Sequence, residues 1–65
     1  MSSNIFDRVA QKASEKGISI NTLEIQAGVS RGSVYKWNVV SPTVKNLASV
    51  AKVLGCTVDE LLKGD

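Results

Sequence analysis

Every apolar pattern in this chain has helical spacing, and glycines cut those patterns into short lengths. Ile5, Phe6, Val9, Ala10 and Ala13 recur at three- and four-residue intervals up to Gly17. Leu23 and Ala27 do so up to Gly28, and Val44, Leu47, Ala48, Ala51 and Leu54 up to Gly55. Such spacing draws one apolar stripe along a helix, whereas no stretch shows the alternation of a half-buried strand. An all-α fold is expected: a compact bundle of about five short helices closed on one core. A chain of 65 residues has room for one domain, 1–65, and such a small core carries modest stability.

Helix starts are also written in the sequence. Ser3 or Asn4 can cap a first helix reaching Lys16, with Asp7 in its first turn where the helix dipole favours negative charge. Ser19 can cap a second from Ile20 to about Ala27. Gly28-Val29-Ser30 is too short for anything but a tight corner, after which Ser30 is expected to cap a third helix, Arg31 to Asn38. Val34 and Trp37, three apart, would form its inner side. Ser41-Pro42 predicts a fourth start, a capping Ser before Pro at the first helical position. Thr57-Val58-Asp59-Glu60 has the capping-box pattern before Leu61-Leu62.

Composition removes several function classes. The chain has one Cys and no His, so neither an internal disulfide nor a structural zinc site is expected. Cys56 reads as a small, partly buried thiol. No two apolar residues are followed by a third, far short of the roughly 20 a membrane span needs. The first residues lack a basic stretch leading into an apolar block, so no secretory leader is expected and a cytoplasmic location is the default. No nucleophile–base pair stands at a recognisable spacing, and Gly28-x-x-x-Gly32 lacks the Lys-Ser/Thr pair of a phosphate loop. No enzyme, cofactor, metal or small-molecule substrate is expected.

Function concentrates between Ile20 and Val39: helix, three-residue corner, helix. A Gly at the corner lets the second helix leave steeply, and Leu23, Val29, Val34 and Trp37 would lock the pair from inside. The outer side then shows Arg31, Gly32, Tyr35 and Lys36, with Ser30 and Ser33 nearby and no carboxylate. Arg reads guanine in the major groove through two parallel hydrogen bonds, and a Gly lets backbone approach a base edge. The N–H groups of Ser30 to Ser33 and of the Pro42 to Val44 region would mark helix N-termini where phosphates dock. Net charge is only +2, so the placement of the cations matters more than their number.

Lys16-Gly17-Ile18-Ser19, Leu23, Ala27 through Trp37, Ser41-Pro42-Thr43 and Leu54 through Leu62, in that order and spacing, resemble the lambda-repressor-like, XRE- or Cro-type helix-turn-helix proteins of phages and bacteria. The resemblance covers nearly the whole chain. It implies a sequence-specific, double-stranded DNA-binding regulator, two copies of which bind a pseudo-palindromic operator as a weak homodimer or a dimer formed on DNA. Arg31, Gly32 and Lys36 match base-facing positions, with Ser33 and Tyr35 alongside. Ser30, Asn38, Ser41, Thr43 and Lys45 match phosphate-contacting positions, and Ser19 and Asn21 join them at the start of the motif. Three positions depart. Ile20 replaces a phosphate-contacting Gln, Glu24 a small Ala between the two helices, and Lys12 a core Leu; Glu24 and Lys12 are both expected to reach solvent along their stems. A protein-interaction module, an antitoxin or adaptor with Val39, Val40, Val53 and Leu62 as its contact patch, is the competing reading.

Overall fold

The computed structural model describes residues 4–63, which form four α-helices and one 3-10 segment: α1 (Ile5–Lys16), α2 (Ile20–Ala27), the 3-10 segment (Val34–Asn38), α3 (Val44–Leu54) and α4 (Val58–Lys63). No strand occurs among the described residues. Three starts follow the capping residues. Asn4 accepts from the Asp7 N–H, Ser19 from Thr22 and Thr57 from Glu60, at 2.9, 3.0 and 3.1 Å. Ser3, the alternative cap for α1, lies outside the described residues.

Val9 and Ala13 of α1, Leu23 of α2, Val34 and Trp37 of the 3-10 segment, Leu47, Val50 and Ala51 of α3 and Leu61 of α4 form one buried cluster. Ile5, Phe6, Ile18, Ile20, Val29 and Val53 pack on its edge. The inward side of α3 thus runs through Leu47, Val50 and Ala51, and Val44, one turn earlier, stands 79% exposed. Every element contributes to this core, so the helix-turn-helix is a segment of the bundle and leans on α1 as well as on α3.

Two expected starts are displaced. α3 begins after Thr43, whose Oγ1 accepts from the Asn46 N–H at 3.2 Å, and Ser41-Pro42 lies ahead of it outside any helix. The Thr hydroxyl supplies a cap two residues later than the Ser-Pro signal. The third helix is corrected more deeply. Residues 31–33 are a turn, and regular structure starts only at Val34, as a 3-10 segment. Gly32 has φ +84°, a left-handed conformation that a helix path cannot pass through. Ser30 is accordingly no helix cap; its carbonyl accepts from the Ser33 N–H at 3.0 Å and closes the turn.

Candidate nucleic-acid interface

The corner between α2 and the turn is made by Gly28, which takes φ +75° and sends its N–H back to the last turn of α2. The chain then passes half-buried Val29 and enters the turn 31–33. What holds that turn is Glu24. The expectation that its carboxylate reaches solvent is wrong: Glu24 is 2% exposed. Its Oε1 accepts from the Gly32 N–H at 3.0 Å and its Oε2 from the Val34 N–H at 3.1 Å. A buried carboxylate is tolerable only with such donors around it, because charge-assisted bonds replace the lost water. These N–H groups are therefore occupied from within, and the phosphate dock expected at Ser30 to Ser33 is closed at Gly32, and at Ser33 by its bond to the Ser30 carbonyl. Lys12, by contrast, does snorkel: it is half-buried, and its Nζ reaches Glu60 at 3.3 Å.

In a 3-10 helix side chains three apart eclipse one another, which sorts the segment into rows. Val34 and Trp37 are the buried row. Tyr35 and Asn38 are the second, and both meet the start of α1: the Tyr35 ring packs on Phe6 with centroids 5.4 Å apart, and Asn38 Oδ1 accepts from Asn4 Nδ2 at 2.8 Å. Tyr35 remains 55% exposed, and the Asn38 contact occupies its oxygen while sparing its amide donors. The third row is Ser33, Lys36 and Val39, with Lys36 and Val39 exposed. Arg31 projects from the turn just before it and is exposed too.

The residues matched to phosphate contact lie on three stretches. Ser19 and Asn21 sit exposed at the start of α2, Ser30 in the corner, and Asn38, Ser41, Thr43 and Lys45 from the end of the 3-10 segment into α3, all exposed. The Ser19 hydroxyl is spent locally, accepting from the Thr22 N–H and donating to Thr22 Oγ1 at 2.9 Å. Thr43 uses only its acceptor side. Ile20, in the place of a phosphate-contacting Gln, packs half-buried against the core. Val39 and Val40, at 86% and 58% exposed, do not tuck under Trp37, whereas Val53 packs on the core and is lost to any outer patch.

Three residues support this site in roles that their spacing in the sequence does not display: Glu24, Phe6 and Asn4. The available signal was for Glu24, the only carboxylate between Glu15 and Asp59.

Exposed charge is partitioned along the chain. From Gly17 to Val58 the one carboxylate is buried, while Arg31, Lys36, Lys45 and Lys52 are all exposed; the exposed carboxylates Asp7, Glu15, Asp59 and Glu60 belong to α1 and α4. No group of three or more His, Cys, Asp or Glu among the described residues could hold a metal ion, and none of their helices is long and apolar enough to cross a membrane.

A helix, a glycine corner and a second short helical segment welded into one core, with cations on the outer row, define a helix-turn-helix DNA-binding domain. The chain belongs to the Cro/C1-type HTH DNA-binding domain family, whose profile matches residues 8–64. Family and fold are those of sequence-specific DNA-binding transcriptional regulators, which are not enzymes. The chain is similar to the P22 c2 repressor protein, solved in complex with synthetic operator 9T in the presence of Tl+, with TM-score 0.88 and 29% identity over 98% of this chain and 100% of that one. It is also similar to the DNA-binding domain of the P22 c2 repressor (residues 1–76), determined by nuclear magnetic resonance, with TM-score 0.87 and 28% identity over 100% of this chain and 88% of that one. No curated protein sequence matches it.

Proposed function

We propose that residues 1–65 act as one operator-binding unit of the repressor or Cro type, with the helix-turn-helix at about 20–39 set against the major groove of double-stranded DNA. The observation that carries this reading is the charge partition: the stretch around the motif hides its single carboxylate and exposes Arg31, Lys36, Lys45 and Lys52. A surface of one sign attracts a polyanion and raises its rate of encounter.

In this reading Arg31, Gly32, Ser33 and Lys36 meet base edges, with Tyr35 at the side held by Phe6. Asn21, Ser30, Asn38, Ser41, Thr43 and Lys45 meet phosphates, and Ser19 does so through its backbone N–H. Phosphate contacts fix register and base contacts fix sequence. One such domain makes few base contacts, so two copies bind a pseudo-palindromic site as a weak dimer or one formed on DNA. Leu62 on α4 and Val39 and Val40 after the 3-10 segment, 48%, 86% and 58% exposed, make a small apolar patch suited to a weak contact, where a stable dimer usually buries about 800 Å² per partner. The DNA supplies the proximity. The working compartment is the one that holds the operator, the cytoplasm of a bacterium or a phage-infected host.

Selection of bound sequences from random duplex DNA tests the whole reading. Two symmetric half-sites with centres about 10–10.5 base pairs apart are expected. On the selected site Arg31→Ala should lose about 1–3 kcal/mol of discrimination against scrambled DNA while circular dichroism barely changes. Selection of no sequence, or an unchanged preference in Arg31→Ala, removes the base-reading role.

A further inference from the structure

We infer that Glu24 is a positioning residue for DNA reading: from beneath the turn it fixes the backbone that presents Arg31, and it touches no DNA itself. The inference rests on the reading that Arg31 faces the duplex.

Three observations converge. Each carboxylate oxygen holds a different N–H, that of Gly32 at 3.0 Å and that of Val34 at 3.1 Å, so the two bonds bracket Ser33 and engage both oxygens. No other side chain caps this start, because the Ser33 side chain makes no capping bond. Arg31 lies directly before the first anchored residue, in a turn closed by the Ser33 N–H on the Ser30 carbonyl and carried by the left-handed Gly32. A bidentate contact to guanine demands a fixed backbone, and ordering that backbone before binding removes its entropic cost from association. Lys36 is placed differently, between buried Val34 and Trp37, so Glu24 governs Arg31 more than Lys36.

The two-oxygen arrangement dictates the variant. In Glu24→Gln one oxygen becomes an amide donor that must face a backbone N–H, so one of the two anchors is lost in a side chain of almost equal shape. Binding of wild type, Glu24→Gln, Arg31→Ala and the double variant to the selected duplex and to scrambled duplex forms a double-mutant cycle. Glu24→Gln should weaken binding to the selected duplex about tenfold or more. In the Arg31→Ala background the same change should cost less than about twofold. Scrambled DNA, held by charge alone, should bind the Gln variant as well as or better than wild type, since a negative charge has been removed. A role confined to general stability gives equal losses in both backgrounds, and that result overturns the proposal.

Amide hydrogen exchange on the unaltered chain keeps the proposal open to refutation even if the Gln variant folds poorly. The Gly32 and Val34 amides should exchange far more slowly than the Arg31 amide, and exchange of all three at the rate of an open turn overturns the anchor. Failure of the underlying reading shows separately, as an Arg31→Ala variant that binds the selected duplex like wild type without any change at Glu24.

Discussion

The α1–α4 pair and the stretch from α2 to α3 are built by opposite electrostatic rules. On the first, two cations are engaged from within. Arg8 donates from Nη1 to the carbonyls of Leu61 and Leu62 at 3.0 and 2.7 Å, closing the end of α4, and Lys12 pairs with Glu60. On the second, the cations stand exposed and no ion pair engages them among the described residues, while the carboxylate is turned inward onto backbone N–H groups. A helix pair that only has to hold itself together can spend cations on its own contacts. In the proposed reading the second surface leaves its cations for a polyanion, and a carboxylate there is tolerable only when buried and bonded. The variants that follow should therefore separate stability from DNA binding according to the region they touch.

The largest effect should come where the two regions share a core. Trp37 is on the 3-10 segment yet 7% exposed, so Trp37→Ala leaves a cavity costing about 3–5 kcal/mol. A 65-residue domain has little more than that in reserve. Thermal melting followed by circular dichroism should show an unfolded chain or a greatly lowered Tm, with DNA binding lost alongside. A near-native Tm would mean that the reading segment is only loosely attached to the bundle.

Trp37 also shows what was legible in the sequence. Its three-residue spacing from Val34 was enough to place it inside, and α1, α2 and α4 were readable because one side chain, Asn4, Ser19 or Thr57, caps each by a bond to an N–H three residues on. These are local interactions, and local interactions are what a sequence displays. The misreadings share the opposite cause. The Glu24 bonds span eight and ten residues, and the Phe6–Tyr35 and Asn4–Asn38 contacts join parts of the chain about thirty residues apart, so none leaves a spacing rule to find. Arg31 to Asn38 looked like one helix because Val34 and Trp37 fit a helical inner side. The left-handed Gly32 that breaks it was visible only as a glycine inside an apolar pattern, which lowers confidence in helix without specifying a turn. At Ser41-Pro42-Thr43 two local signals competed, and the Thr43 cap won over the Ser-Pro start.

Gly32 gives the middle-sized effect and sharpens the comparison. A Cβ built there meets nothing within 4 Å, so Gly32→Ala adds no clash and its cost is purely that of holding a left-handed backbone, about 1–2 kcal/mol. Chemical denaturation should show that loss without a change in the denaturant slope. Because the strain falls on the turn that carries Arg31, affinity for the selected duplex should drop, while affinity for scrambled DNA stays. Loss of stability with unchanged specific binding would uncouple the turn from reading.

The smallest effect belongs to the α1–α4 pair. Lys12 and Glu60 are 3.3 Å apart but have side chains 31% and 46% exposed, so solvent screens the pair and a double-mutant cycle of Lys12→Met and Glu60→Gln should give only about 0.2–1 kcal/mol of coupling, shrinking with added salt. DNA binding should not change in either variant beyond the nonspecific effect of net charge. A local reporter is available in Cys56. Burial pushes its thiol above the ordinary value, the Lys12 cation pulls it down, and the Glu60 carboxylate pushes it up. Lys12→Met removes the lowering influence, so less thiolate is present at a given pH and alkylation of Cys56 should slow, its pH profile moving upward. Glu60→Gln should move the profile downward and speed the reaction. Shifts in these opposite directions would show that both charges sit beside Cys56 in solution. Profiles that coincide with the wild type in both variants would mean that the pair is not held there, and the contrast between internally engaged and exposed cations would then rest on Arg8 alone.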